Sequence, residues 1–201
     1  MQRWQERYRD RCPSQFQGRP YLLVGDLQGW HLRPSNEWVQ IPQTSPVPKR
    51  AEPEEGDLLC VRTGPVGRMV AWEPFYGKGV ISSYWIRLKG NESRGFDAGF
   101  LSVLSQLKIW ELLMEAIVYG AVQPQISQEE IVDSRIPFAG TQLATDIGRE
   151  YHQAVARVLR ADQLTNGAIA DVESLINGTL HELACIELGC KLADEFGFER
   201  P

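Results

Sequence analysis

The chain has 201 residues, of which 43% are apolar and 23% charged, and carries a net charge of −5. These proportions are those of a globular domain, and charge interrupts every apolar run before the roughly 20 residues that a bilayer-spanning helix needs. They exclude a fibrous repeat, a disordered chain and a membrane span, and a general nucleic-acid binder would carry more Lys and Arg. The charge is nevertheless uneven: residues 1–100 hold 14 Lys and Arg against 11 Asp and Glu, and residues 101–201 hold 7 against 15. Such asymmetry hints at nucleic-acid contact, although an acidic helix pair in solvent gives the same count.

The opening MQRWQERYRDRC is charged and lacks an apolar block and cleavage site, so a cytosolic location is expected. PYLLVGD (residues 20–26) is an apolar run of strand length closed by a Gly-Asp turn. Pro34, Pro42, Pro46, Pro48 and Pro53 follow. Because proline removes ladder donors, that stretch should hold at most short edge strands. GDLLCVR (residues 56–62) reads as a second strand, which Gly64-Pro65-Val66-Gly67 joins to RMVAW in a hairpin. After Gly77-Lys78-Gly79, VISSYWIRLK alternates as one half-buried strand.

Phe100, Val103, Leu107, Trp110, Met114 and Ile117 recur at steps of three and four, which predicts one helix capped by Asp97 and ended by Gly120. GAVQPQIS reads as a loop, and Arg135-Ile136-Pro137 as a terminal strand. From Thr141 the period is helical throughout. Leu143, Ile147, Tyr151, Val155 and Val158 form one stripe, and Ile169, Val172, Ile176, Leu180 and Leu183 form another beyond Thr165-Asn166-Gly167. Two long helices are expected, with stripes narrow enough to need a partner, so a homodimer through them is the expectation. The resulting organisation is α+β: a compact β-rich domain over residues 1–140, then a helical spacer, hairpin or coiled coil, over 141–196.

The residues that could perform chemistry do not assemble a site. Cys12, Cys60, Cys185 and Cys190 fall at unrelated spacings with no histidine pair, so no metal and no other cofactor is expected. Cys60 in a strand and Cys185 on a helix face read as small hydrophobes. Gly64, Gly67, Gly77 and Gly79 fit no phosphate-loop pattern and read as turn glycines. His181-Glu182 lacks a metalloprotease partner, and no adenine-methyltransferase N-P-P-[YF] signature occurs. A Cys60 nucleophile paired with His31 or His152 would sit in a setting that raises its pKa.

What remains suits binding. Trp30, His31 and Arg33 follow the first strand, Lys49 and Arg50 lie in the proline-rich loop, and Arg62 and Arg68 bracket the hairpin turn. Lys78, Tyr84, Arg87 and Lys89 come next. Basic side chains interleaved with aromatics on a β scaffold suit phosphate anchoring with base-edge or stacking contacts, while each aromatic alone is as compatible with core packing.

The order of parts is itself informative. A strand ending Gly-Asp (PYLLVGDLQGW), a long variable stretch, a strand opening Gly-Asp (GDLLCVRTGPVGRM) and an alternating strand (GVISSYWIRLK) lead to a stripe helix. Then come Gly120 and Gln123, Ile136-Pro137 and a long helix. Over nearly its whole length the chain resembles the target recognition domain of a type I restriction-modification DNA specificity subunit, in a half-length form. The resemblance implies a non-catalytic module that reads double-stranded DNA and directs methyltransferase and restriction subunits, with the acidic helices as spacer and docking element. Members usually carry two recognition domains and a proline- and glutamine-rich approach to the helix, represented here by Pro137 and Gln142. A single domain reading a palindromic site would pair two-fold. The alternative is a non-catalytic adaptor that binds protein through the loop-rich half and oligomerises through its helices.

Overall fold

The fold is seen in a computed structural model, which describes residues 19–33, 38–39, 47–91, 94, 96–120, 124–138 and 140–178. In chain order its strands are β1 (Arg19–Leu22), β2 (Leu27–Gln28), β3 (His31–Leu32), β4 (Trp38–Val39), β5 (Asp57–Val61), β6 (Met69–Ala71), β7 (Val80–Ile81) and β8 (Trp85–Lys89). The helices are α1 (Ala98–Leu104), α2 (Lys108–Ile117), α3 (Gln128–Val132) and α4 (Thr141–Ile176). This is an α+β fold in which a long helix follows a small strand region.

β5 organises the strands. All five of its residues are buried, and it lies between β6 and β8 in an antiparallel sheet. A run of this kind, apolar at successive positions, belongs at the centre of a sheet covered on both faces. The predicted hairpin closes as expected, pairing Leu58 with Ala71 and Cys60 with Met69. A second sheet has the order β4-β1-β7, with β1 and β7 parallel and Tyr21 opposite Val80. The proline-rich stretch contributes the two-residue edge strand β4, in keeping with the donors its prolines lack. Leu22, Leu59, Val61, Val70, Trp72 and Trp85 form a core cluster with Leu32 and Ile81. At roughly 25 cal/mol per Å2 of apolar surface, each such side chain contributes about 1.5–3 kcal/mol.

The hairpin turn is clamped by α2. Gly67 has φ +80, and a Cβ there would overlap Met114. The Trp110 indole N–H donates to the Gly67 carbonyl at 2.8 Å, so both residues of the predicted helix stripe pack on the turn. That stripe is carried by two helices. α1 starts at the predicted cap, where the Asp97 carboxylate accepts from the Phe100 N–H at 3.0 Å, and ends before Ser105. The Ser105 hydroxyl donates to the Ser102 carbonyl at 2.8 Å and accepts from the Met69 N–H at 3.0 Å, and such a side-chain competitor for backbone groups favours a break.

Four other expectations need correction. VISSYWIRLK is two strands, because Ser82 to Trp85 forms a turn in which the Trp85 N–H donates to the Ser82 carbonyl at 3.2 Å. No strand forms over residues 133–138; instead Ser127 and Glu130 make a reciprocal capping box that starts α3. The helix from Thr141 does not break at Thr165-Asn166-Gly167. An exposed interior glycine costs a helix only about 1 kcal/mol, and the Thr165 hydroxyl is satisfied by the Ala161 carbonyl at 2.9 Å. Finally, Tyr151 and Val155 are core rather than pairing residues, being 4% and 0% exposed.

By compactness the chain divides into Met1–Val155 and Ala156–Pro201. In the first unit, Ala144, Tyr151 and Val155 supply the buried face of α4. Gly148 lies so close to the start of α1 that a Cβ there would overlap the Asp97 carboxylate. In the second unit, Ile169, Val172 and Ile176 are exposed, while Leu180, Leu183 and Cys185 fall outside the described residues.

Candidate nucleic-acid interface

The basic side chains predicted from the sequence divide into those held by partners in the fold and those presented outward. Arg87 belongs to the first group. Its guanidinium bonds the carboxylate of Asp57, a residue 2% exposed, and also meets Glu54 at 3.0 Å. A third arm donates to the Lys49 carbonyl at 2.7 Å. Arg87 thus ties β5 and β8 to the short helical turn Lys49–Ala51, fixing the backbone that carries Lys49 and Arg50. Arg68 donates to the Gln106 side-chain carbonyl and is part-buried. Lys89 is exposed and meets Glu54 at 3.3 Å, a bond that holds the Glu54 carboxyl below its ordinary range.

Arg50 and Arg62 come together on one cavity of about 300 Å3, with Arg87 in its wall. Arg62 is positioned by its main chain: its N–H donates to the Tyr84 carbonyl at 2.7 Å, and its carbonyl accepts from Ile126 at 3.2 Å. The second bond carries the segment before α3 alongside β5, so Ser127, Gln128 and Glu129 form the opposite wall. The Ser82–Trp85 turn supplies two more lining residues. Ser82 and Trp85 are 3% and 4% exposed, and neither the Ser82 hydroxyl nor the Trp85 indole N–H has a hydrogen-bond partner among the described residues. Neither was singled out in sequence. The Ser-Ser pair inside an alternating run is the available turn signal, and Trp85 reads in sequence as core more readily than as interface.

The remaining predicted residues lie elsewhere. Lys78 and Tyr84 are exposed, Tyr84 by 47%. Trp30 is half-buried, and its carbonyl accepts from the Tyr151 hydroxyl at 2.9 Å while its ring meets that of Tyr151 edge-on. It is therefore tied into the packing of α4. Arg33 is exposed beside β3.

A second charged cluster occupies the same unit. His152 lies between Glu73, at 2.6 Å, and Asp97, at 3.5 Å. Hydrogen bonds to Asp97 and then to Glu73 raise the imidazole to a pKa of about 10. At Asp97 burial works to raise the carboxyl, but the bonds from His152 and the Phe100 N–H outweigh it and hold it below the ordinary value. The three side chains thus bring together the segment after β6, the cap of α1 and α4. Cys60 is fully buried, and burial pushes its thiol far above the ordinary value, which removes the thiolate a nucleophile needs.

Among the described residues no group of His, Cys, Asp and Glu could hold a metal ion, and no helix is long and apolar enough to cross a membrane. A scan against protein-family models finds no match, and a search of curated proteins finds no sequence similar enough to count as a relative.

Proposed function

We propose that the chain is a sequence-specific DNA-binding module of the type I specificity-subunit kind, which acts in the cytosol and directs methyltransferase and nuclease partners without catalysing a reaction itself. The observation that carries this reading is the convergence of Arg50 and Arg62 on one cavity, with the Lys49–Ala51 turn fixed from behind by Arg87. Cationic side chains on a rigid strand frame anchor phosphates, and acceptors and donors beside them can read base edges. Lys78, Tyr84 and Lys89 extend the surface.

Duplex binding measured by fluorescence anisotropy across a salt series tests it. Affinity should fall steeply with salt, and each anchoring cation removed should lower the slope of log K against log salt by about 1. Salt-independent binding, or none to any member of a randomised duplex pool, would sink the reading.

Pairing through α4 is part of the same proposal. Tyr151 and Val155 being core, the described residues left to carry it are Leu143, Ile147, Val158, Ile169, Val172 and Ile176, of which Ile176 is 78% exposed. A strictly monomeric mass by light scattering at high concentration would remove this part. The adaptor reading keeps one observation in its favour: Leu107, Ile109 and Leu112 on and before α2 are each about half exposed, the kind of apolar surface that meets protein. Capture of duplex DNA with the predicted salt dependence separates the two.

A further inference from the structure

The sequence contains two Asn-Gly pairs, Asn166-Gly167 and Asn177-Gly178. Such a pair is chemically fragile, because glycine lacks the side chain that would shield its backbone nitrogen from the preceding carboxamide. Whether it reacts is decided by the backbone. Ring closure brings the Asn side-chain carbon within bonding reach of the next backbone nitrogen, a geometry incompatible with the helical ψ of about −42°.

α4 treats the two pairs differently. Asn166 and Gly167 lie inside it, where the ladder of bonds to carbonyls four residues back fixes the backbone on both sides. Asn177 directly follows the last helical residue, Ile176. Its N–H donates to the Glu173 carbonyl at 3.0 Å, and the Gly178 N–H bends back to the Leu175 carbonyl at 3.1 Å. Gly178 has φ +68, the left-handed conformation with which helices commonly stop, and a Cβ there would meet no atom within 4 Å. Both residues are exposed. The Gly178 nitrogen is thus held by one terminal hydrogen bond, which frays at little cost in free energy, whereas freeing Gly167 requires opening helix on both sides.

We infer that Asn177 is a site of spontaneous covalent modification, converted through a cyclic imide to isoaspartate and aspartate, while the helix preserves Asn166. The Gly178 nitrogen loses its proton to solvent and attacks Asn177 Cγ. The new N–C bond forms as the side-chain nitrogen leaves, taking a proton from solvent to depart as ammonia. Water then opens the imide, giving isoaspartate by attack at the main-chain carbonyl and aspartate by attack at the side-chain carbonyl. The sequence of steps involves no change of oxidation state, and solvent water is the co-reactant. Either product places a carboxylate at the C-terminal end of α4, where the helix dipole disfavours negative charge. Isoaspartate also reroutes the main chain through a side-chain carbon. The change falls beside Leu175 and Ile176, which are 44% and 78% exposed. This inference is independent of the nucleic-acid reading.

Peptide mapping by mass spectrometry follows both asparagines of the full chain during incubation at physiological temperature and mildly alkaline pH, and electron-transfer fragmentation separates isoaspartate from aspartate. Asn177 should convert about tenfold or more faster than Asn166, the disparity set by the extra opening that the helix interior requires. In concentrated urea the two rates should come within about threefold of each other, because the same dipeptide then reacts from an open chain. Asn177→Gln, whose longer side chain has a larger ring to close, should remove the modification at that position and leave the Asn166 rate unchanged. Any of four results overturns the inference: Asn177 intact over a period in which the unfolded chain converts both sites, equal rates in the folded chain, aspartate without isoaspartate, or the same disparity persisting in urea.

Discussion

The charged cluster around His152 and the one around Arg62 differ in whether the described residues complete them. Around His152, one cation faces two carboxylates, a backbone N–H caps the second carboxylate, and the glycine at 148 lets α4 approach close enough for the contacts to form. Around Arg62, two arginines line one cavity with Glu129 also in its wall, beside two buried polar groups that have no hydrogen-bond partner among the described residues. The first arrangement is what a fold uses to fix a helix against a sheet. On the proposed reading, the second leaves interaction energy available to a partner outside the chain. Polar completeness therefore separates structural charge from recognition charge better than charge or exposure alone.

Arg87 is the strongest place to break this distinction, because it lines the cavity shared by Arg50 and Arg62 yet is completed by the protein. Arg87→Ala leaves the Asp57 carboxylate buried and unpaired, which should cost about 3–5 kcal/mol of stability. Urea denaturation measures it, and a loss below about 1 kcal/mol, the worth of a solvent-exposed pair, would show that Asp57 does not depend on Arg87. Gly148→Ala should follow. Its Cβ would displace the Asp97 carboxylate from His152 and from the α1 cap, and overpacking of this kind costs about 1–3 kcal/mol. The thermal midpoint of this variant should fall by several degrees, by the usual scaling of about 2–8 °C per kcal/mol.

His152→Gln gives a smaller, pH-dependent effect. In the fold the imidazole keeps its proton up to about pH 10, whereas the unfolded chain releases it near the ordinary 6.5. The stabilisation is therefore complete below about pH 6.5 and fades as pH rises through the interval to about 10. With the side chain 35% exposed, solvent screening keeps the loss near 1 kcal/mol at pH 6. Wild type and variant should converge by pH 10, and a gap that widens with pH would contradict the assigned charge state. Arg62→Ala should change stability least, within about 0.5 kcal/mol as for most surface substitutions, while lowering duplex affinity and its salt slope. A stability loss as large as that of Arg87→Ala would move Arg62 to the structural group.

Local chemistry made several elements legible in the sequence. The β5–β6 hairpin could be read because an apolar run, four turn residues and a second apolar run state it locally. The same holds for Asp97, whose cap needs only the N–H three residues on. The basic residues of the interface could be listed, since composition reveals them, but their division into anchors and ties could not. The α1–α2 break and the Ser82–Trp85 turn were hidden by periodicity that continues across both, because facing a common core preserves the pattern even where the backbone changes course.

The sequence by itself determined the α+β class, the β5–β6 hairpin and the helical nature of residues 141–176, because periodicity and turn residues act over a few positions. Tertiary structure alone decided that Tyr151 and Val155 are core, that Arg87 is neutralised by Asp57 thirty residues away, and that Arg50 and Arg62 share a cavity with Ser82 and Trp85. Each of those facts depends on which distant segments the fold brings within a few ångströms, and no local pattern encodes such a distance.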